Sequence, residues 1–438
     1  MTSRDALQAT IRAYRSSLDY LPDGPYRRYC AWLLDQPHYA RRWLRLIALE
    51  ELVRMTGALL DNLPLDRSEV NSLTDHGTLM SVHQIYEVVS DNLAAGLSGS
   101  TVRDAREDLL RSFNSAAMDS LRLMNPSPAR DRLGEWEAMA RDVSAFRCSN
   151  NEAEHRALAT AYVAAHPEDE PQPLEFSVAA SLLANIESGL AMAAVVRDLA
   201  TWNVFANGLI RRYSAVQRLI TERPTDEAEL IATGTDSIMV VSTLSYYTGL
   251  INEVVCPLPG YAQVLDDGSL ERLLTDAALL VRLVNDVGTR LLEQAPDDRR
   301  LLLSRLRAQG AASHGADLSA VLWKAQAEEG ALLTRLKKDV GFGEFNVCLD
   351  GIRHLPAAEA LPLFETRLDD VTTLYRRTLA SLDAGAAELQ TRLGTALVGA
   401  PALCFVGFHQ ELYRKTFDAQ MGDYAVALSP PAHHRRGS

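Results

Sequence analysis

Apolar residues return every three or four positions along almost the whole chain. WLRLIALEELVRMTGALL (43–60), LERLLTDAALLVRLVNDV (270–287) and LFETRLDDVTTLYRRTLASL (363–382) show the pattern. That period places the apolar side chains on one face of an α-helix. Alternating strand patterns are absent from the sequence, so the expected fold class is all-α. Breakers fall at LPDGP (21–25), NLPLD (62–66), NPSP (125–128), HPEDEPQP (166–173), ERPT (222–225), CPLPG (256–260), QAPDD (294–298) and GFG (341–343). They cut the chain into helices of ordinary length.

The sequence shows no internal repeat and no long low-complexity linker. One helical domain over residues 1–430 is therefore expected, with extra helical segments near 100–170 and 294–340 and a disordered tail at 431–438. With 438 residues, 47% of them hydrophobic, there is ample material for a large core.

A formal charge of −13 argues against a duplex nucleic-acid binder, which must neutralise phosphates with a basic face. Cys30, Cys148, Cys256, Cys348 and Cys404 are scattered without CxxC spacing. That pattern fits buried thiols in a reducing compartment rather than a disulfide frame or a zinc site. The start, MTSRDALQAT, lacks the apolar core of a signal peptide. SVAASLLANIESGLAMAAVV (177–196), the longest apolar run, is interrupted by Asn185 and Glu187 and suits a buried helix better than a membrane span. The expected location is the cytoplasm.

The segment NDVGTRLLE (285–293) carries chemistry. Asn285, Thr289 and Glu293 recur at i, i+4 and i+8, so on a continuous helix their oxygens form one polar stripe. An amide oxygen, a hydroxyl and a carboxylate, with no histidine or thiolate beside them, are hard donors that select Mg²⁺ over Zn²⁺. One carboxylate with two neutral oxygens holds Mg²⁺ weakly unless a polyanionic substrate adds ligands, which points to a diphosphate. The alternative for the same residues is the solvated face of an amphipathic helix.

N-D-x-x-T-x-x-x-E resembles the NSE (or DTE) magnesium motif of class I terpene synthases. The resemblance implies an isoprenoid synthase-type helical bundle around a central apolar cavity, with Asn285, Thr289 and Glu293 as ligands of one Mg²⁺. ERPTDEAELIATGTDSIMVVSTLSYY (222–247) is similar to the Pro-led loop and broken helix that face the diphosphate in that family. Asp236 and Ser237 fall at the linker and effector positions, but the family's diphosphate-sensing arginine is replaced by Thr233. FVGFHQELYRKTFDAQMGDY (405–424) resembles the closing helix with its terminal Arg-Tyr pair. Tyr424 matches the tyrosine, Asp423 replaces the arginine, and Arg414 and Lys415 are the local cations that would substitute, with Arg282 as second choice and Arg290 pointing away.

The family's aspartate-rich motif has no intact copy in this sequence. EELVRMTGALLDNLPLD (50–66) is its nearest counterpart, which assigns Asp61 and Asp66 to the remaining Mg²⁺ ions; a turn with a helix cap is the alternative reading. Asp91 with Asn92, and Glu187, are reserves. Asp369 and Asp370 read as a solvated helix face. Trp202, Phe205, Tyr246, Tyr247, Phe345, Phe405 and Phe408 are candidates for aromatic cavity walls or for ordinary core.

The resemblance thus implies Mg²⁺-dependent ionisation of a prenyl diphosphate, diterpene-type in length, followed by carbocation cyclisation. Its implied partner is that substrate; a homodimer is a further expectation, with no nucleic acid and no membrane span. A trans-prenyl diphosphate synthase would need a second DDxxD where NDVGTRLLE stands, and a noncatalytic helical scaffold derived from the fold is the reading from another class.

Overall fold

The computed structural model describes residues 3–60, 62–94, 103–147, 151–222, 224 and 226–416. Every regular element among them is helical, and an isolated antiparallel bridge joins Asp317 to Pro356. The all-α expectation holds. The helices that frame the site and its supporting core, numbered in chain order with the others left unnumbered, are α1 (Ser3–Ser17), α2 (Leu49–Leu60), α3 (Arg67–Ala94), α4 (Arg103–Leu123), α5 (Val178–Val196) and α6 (Trp202–Thr221). They continue with α7 (Glu227–Asp236), α8 (Val240–Gly249), α9 (Ser269–Val287), α10 (Thr334–Phe342), α11 (Ala357–Leu393) and α12 (Ala400–Arg414).

The breakers act where residue chemistry says they should. Asp66 closes a capping box at the start of α3: its carboxylate accepts from Ser68 N at 2.7 Å and Glu69 N at 2.9 Å, while Glu69 accepts from Asp66 N at 2.6 Å. Asp226 caps α7 through Glu229 N, and Gly343 ends α10 in the left-handed region. Residues 237–239 separate α7 from α8, which with its π-helical extension to Val255 is bent by 45° relative to α7.

Two apolar clusters result. The larger runs from Met55 to Val406 and is built by α2 to α12. In α9, Leu270, Leu273, Leu274, Ala277 and Val281 follow the i, i+3, i+4 rule and are buried; α9 packs against α11 and α12. The smaller cluster joins the N-terminal segment to residues 146–174 and is strongly aromatic. Tyr29 meets Trp43 at 5.9 Å and Tyr162 at 5.4 Å between ring centroids, both edge-on. α3 serves both clusters, with Leu73 and Met80 in one and Val82, Ile85 and Tyr86 in the other. Burial on several sides explains why α3 has no single apolar stripe.

α5, the apolar run singled out from the sequence, is long and apolar enough to cross a membrane by length and composition, yet 67% of its apolar window is buried inside the bundle. Its neighbours are α3 and α4, and Asn185 within it is fully buried.

Candidate functional site

The polar stripe expected along NDVGTRLLE is not carried by one continuous helix. α9 ends at Val287, Gly288 takes φ 89° and ψ 139°, and Thr289–Leu292 forms a separate single turn with Glu293 as its C-cap. The left-handed φ requires glycine, and a Cβ there would also lie 3.3 Å from Arg335 Cγ. This corrects the helical-face geometry and replaces it with a different relation: all three residues lead to the last turns of α12.

Asn285 is held by Arg335 on α10, which donates through Nε to the Asn285 carbonyl at 2.7 Å and through Nη2 to Asn285 Oδ1. The same guanidinium lies over the Tyr413 ring at 4.6 Å. Thr289, fully buried, donates its hydroxyl to the Gln410 carbonyl at 2.7 Å. Glu293 makes a two-armed pair with Arg414, Nη1 to Oε2 at 2.8 Å and Nη2 to Oε1 at 3.1 Å. Gln410 Nε2 also donates to the Tyr375 hydroxyl at 2.7 Å. The segment is a clasp on α12.

Directly behind it lies a buried ionic network. Arg282 pairs with the fully buried Asp286 and stacks on the Phe345 ring at 5.5 Å. Asp286 also accepts from Val347 N at 2.8 Å. Asn346 donates to the Asp286 carbonyl at 2.8 Å and to Asp339 at 2.6 Å, and Lys338 bridges Asp339 and Glu344 at 2.8 and 2.5 Å. Burial pushes the carboxyls of Asp286 and Glu344 upward, while Arg282 and Lys338 respectively draw them back down. Arg282 is thus committed to Asp286, the residue after Asn285. Arg290 is exposed.

The other expected residues are dispersed. Asp66 is the α3 cap described above, so the helix-cap reading of DNLPLD describes it; Asp61 lies outside the described residues, as do Asp423 and Tyr424. Asp236 ends α7 a little over one-third exposed, 4.0 Å from Arg211, with its carboxyl raised by burial. Ser237 caps that helix and donates to the Gly234 carbonyl at 2.8 Å. Thr233 is buried. Lys415 is the exposed C-cap of α12. Glu187 pairs with Arg130, Asp369 with Arg299, and Asp370 is exposed. Trp202, Phe205, Tyr246 and Tyr247 follow one another at ring separations of 6.1, 6.1 and 5.6 Å as packed core.

Sequence reasoning missed two features. Arg335, in LTRLKKDV, completes the Asn285 contact from fifty positions away, and no local signal marks it. On α3, Glu87 pairs with the buried Arg212 of α6, and burial, working against that arginine, pushes its carboxyl up to about 7. Asp91, one turn further, is exposed and its charge acts on both Arg212 and Arg282. The reserve candidate Asp91 therefore belongs to the electrostatic surroundings of α9.

The donor set of the clasp fits a hard cation in type. Asn285 Oδ1 and the Thr289 hydroxyl each keep lone pairs beyond the bonds they make, and the Glu293 side chain is 39% exposed. Among the described residues no group of three or more His, Cys, Asp or Glu is placed to hold a metal ion, so a cation here would depend on neutral oxygens and on a ligand's own. Compared with protein-family models, curated proteins and solved structures, the chain has no match.

Proposed function

We propose that this chain is a Mg²⁺-dependent enzyme of class I terpene synthase type, acting on a prenyl diphosphate. The observation that carries the reading is the clasp: Thr289 and Glu293 meet the end of α12 directly, Asn285 reaches it through Arg335, which lies over Tyr413, and Asn285 and Glu293 are held by guanidinium groups, Arg335 and Arg414. Guanidinium forks match phosphate oxygens as well as carboxylates. A diphosphate arriving at this end of α9 gives both arginines a second acceptor, and releasing Glu293 and Asn285 frees the oxygens the resemblance assigns to Mg²⁺. Bound there, Mg²⁺ would neutralise charge on a departing diphosphate. Thr289 would keep its proton on the Gln410 carbonyl and offer a lone pair, so α12 fixes its hydroxyl.

A second reading is favoured by the same contacts. Each of the three side chains already has a partner within the protein, as a helical scaffold with a purely structural clasp requires. Incubation with Mg²⁺ and prenyl diphosphates of three chain lengths, followed by mass spectrometry of a hexane extract, separates the two. The enzyme reading expects a hydrocarbon or alcohol product that disappears in Asn285→Ala and Glu293→Gln while the helical circular dichroism is unchanged. Absence of product from every substrate with the wild-type chain removes it in favour of the scaffold.

A further inference from the structure

A cavity of about 200 Å³ lies between α1, α2 and α3; it draws on the segment 50–66 and contains none of the clasp residues. Its apolar wall comes from Ala6, Val53, Ala58, Leu60 and Val70. Its polar wall is almost all hydroxyl: Thr10, Thr56, Thr74, Thr78 and Ser81. Val53, Leu60, Thr10, Thr78 and Ser81 are buried, so the space reaches into the bundle rather than spreading over its surface.

The hydroxyls have a common chemical state. Thr10 donates to the Ala6 carbonyl at 3.0 Å, Thr78 to Asp75 at 2.7 Å, Ser81 to Gly77 at 3.0 Å and Thr74 to Val70 at 3.4 Å. Each proton is spent on the residue's own helix backbone, so a further bond at any of these oxygens must be one it accepts. Thr56 faces the Tyr247 hydroxyl at 3.4 Å. Among the described lining residues there is no carboxylate, and the cation at the edge, Arg54, is answered by Glu51. The lining asks for a neutral body that brings its own donor. An apolar cavity of about 150 Å³ takes benzene, with its six heavy atoms, so roughly eight heavy atoms suit this one.

We propose that the α1–α2–α3 cavity is a binding site for a neutral, compact hydrocarbon alcohol. The hydrocarbon body meets the aliphatic wall and the alcohol donates to a threonine or serine oxygen. The site contains no clasp residue, and its test needs no diphosphate.

The test uses one skeleton in two states, 2-norbornanol and 2-norbornanone, titrated into the whole chain and read by saturation-transfer NMR and calorimetry without Mg²⁺. The alcohol is expected to bind about tenfold more tightly than the ketone, which lacks the donor. Thr10→Val or Thr78→Val should collapse that ratio toward one, because each keeps shape and removes an acceptor. Ala58→Leu fills the space and should abolish binding of both probes, with Ala6→Leu as the second filling variant if the first does not fold. Equal affinity for alcohol and ketone, retention of the full ratio in both valine variants, unchanged alcohol binding in a folded filling variant, or no binding of the alcohol overturns the proposal.

Discussion

At the end of α9 the side chains of the clasp find partners, although Arg282 Nε and Gln294 Oε1 beside them have none among the described residues. Arg335 answers Asn285 twice, Gln410 answers Thr289, and Arg414 answers Glu293. Between α3, α5 and α6 the accounting is different. Ser188 donates its hydroxyl to the Asn185 carbonyl at 2.9 Å, so His83 Nδ1, 3.0 Å from that oxygen, is the donor and the ring is the Nδ1–H tautomer. Its Nε2 is then a bare acceptor, buried without a partner among the described residues; the donors Asn185 Nδ2 and Arg212 Nε and Nη1 are likewise buried without one. Each such group costs about 1–3 kcal/mol relative to a paired one. The contrast shows that the α9 clasp holds elements together, whereas the α3–α5–α6 layer keeps polar groups at an energetic cost that apolar residues would avoid.

The largest effect that could break this comparison is at Arg335. Arg335→Met should remove the partner of two Asn285 acceptors and the contact with Tyr413, lowering stability by about 3 kcal/mol in urea unfolding. A loss under about 1 kcal/mol would show that the clasp contributes no more than a surface pair.

Next comes the pH dependence of the α3–α5–α6 layer. Glu87 has a folded-state carboxyl raised to about 7, above its ordinary value of 4.5. Its contribution is fully present below 4.5 and lost as pH rises through 7, so it should cost on the order of 2 kcal/mol between pH 5 and 8. Glu87→Gln should flatten that part of the Tm-versus-pH curve; an unchanged slope would place the titration elsewhere.

His83 has the opposite sign. Burial first, then Arg212, depresses its imidazole to about 3. Its contribution is present above 6.5 and declines as pH falls toward 3. His83→Leu should therefore lie within about 1 kcal/mol of wild type at pH 7.5, since it removes an orphaned acceptor along with one hydrogen bond. It should be the more stable variant at pH 5, and a large loss at pH 7.5 would mean that Nε2 does have a partner.

The smallest stability effect belongs to Arg414→Ala. Both partners are more than a third exposed, so a change below about 1 kcal/mol is expected. The same substitution should lower affinity for inorganic diphosphate in the presence of Mg²⁺ several-fold if the clasp is the proposed site. Loss of stability without loss of affinity would mark it as a fastener only.

Amino-acid sequence by itself determined the fold class and many of the helix limits. Helical period depends on neighbours three and four positions away, and the chosen breakers, from LPDGP to GFG, depend on local φ preferences; both are written in short stretches. It also determined that DNLPLD could cap a helix, because Asp66 and Glu69 stand three apart. Tertiary structure alone decided what NDVGTRLLE does locally. Gly288 reads as tolerable within a helix, yet the close approach of Arg335 and the end of α12 makes it a left-handed break. The partners of Asn285, Thr289 and Glu293 lie 50, 121 and 121 positions away, and the pairing of Glu87 with Arg212 spans 125. Such contacts depend on how helices pack, and packing is set by the summed fit of many apolar side chains that no local pattern records.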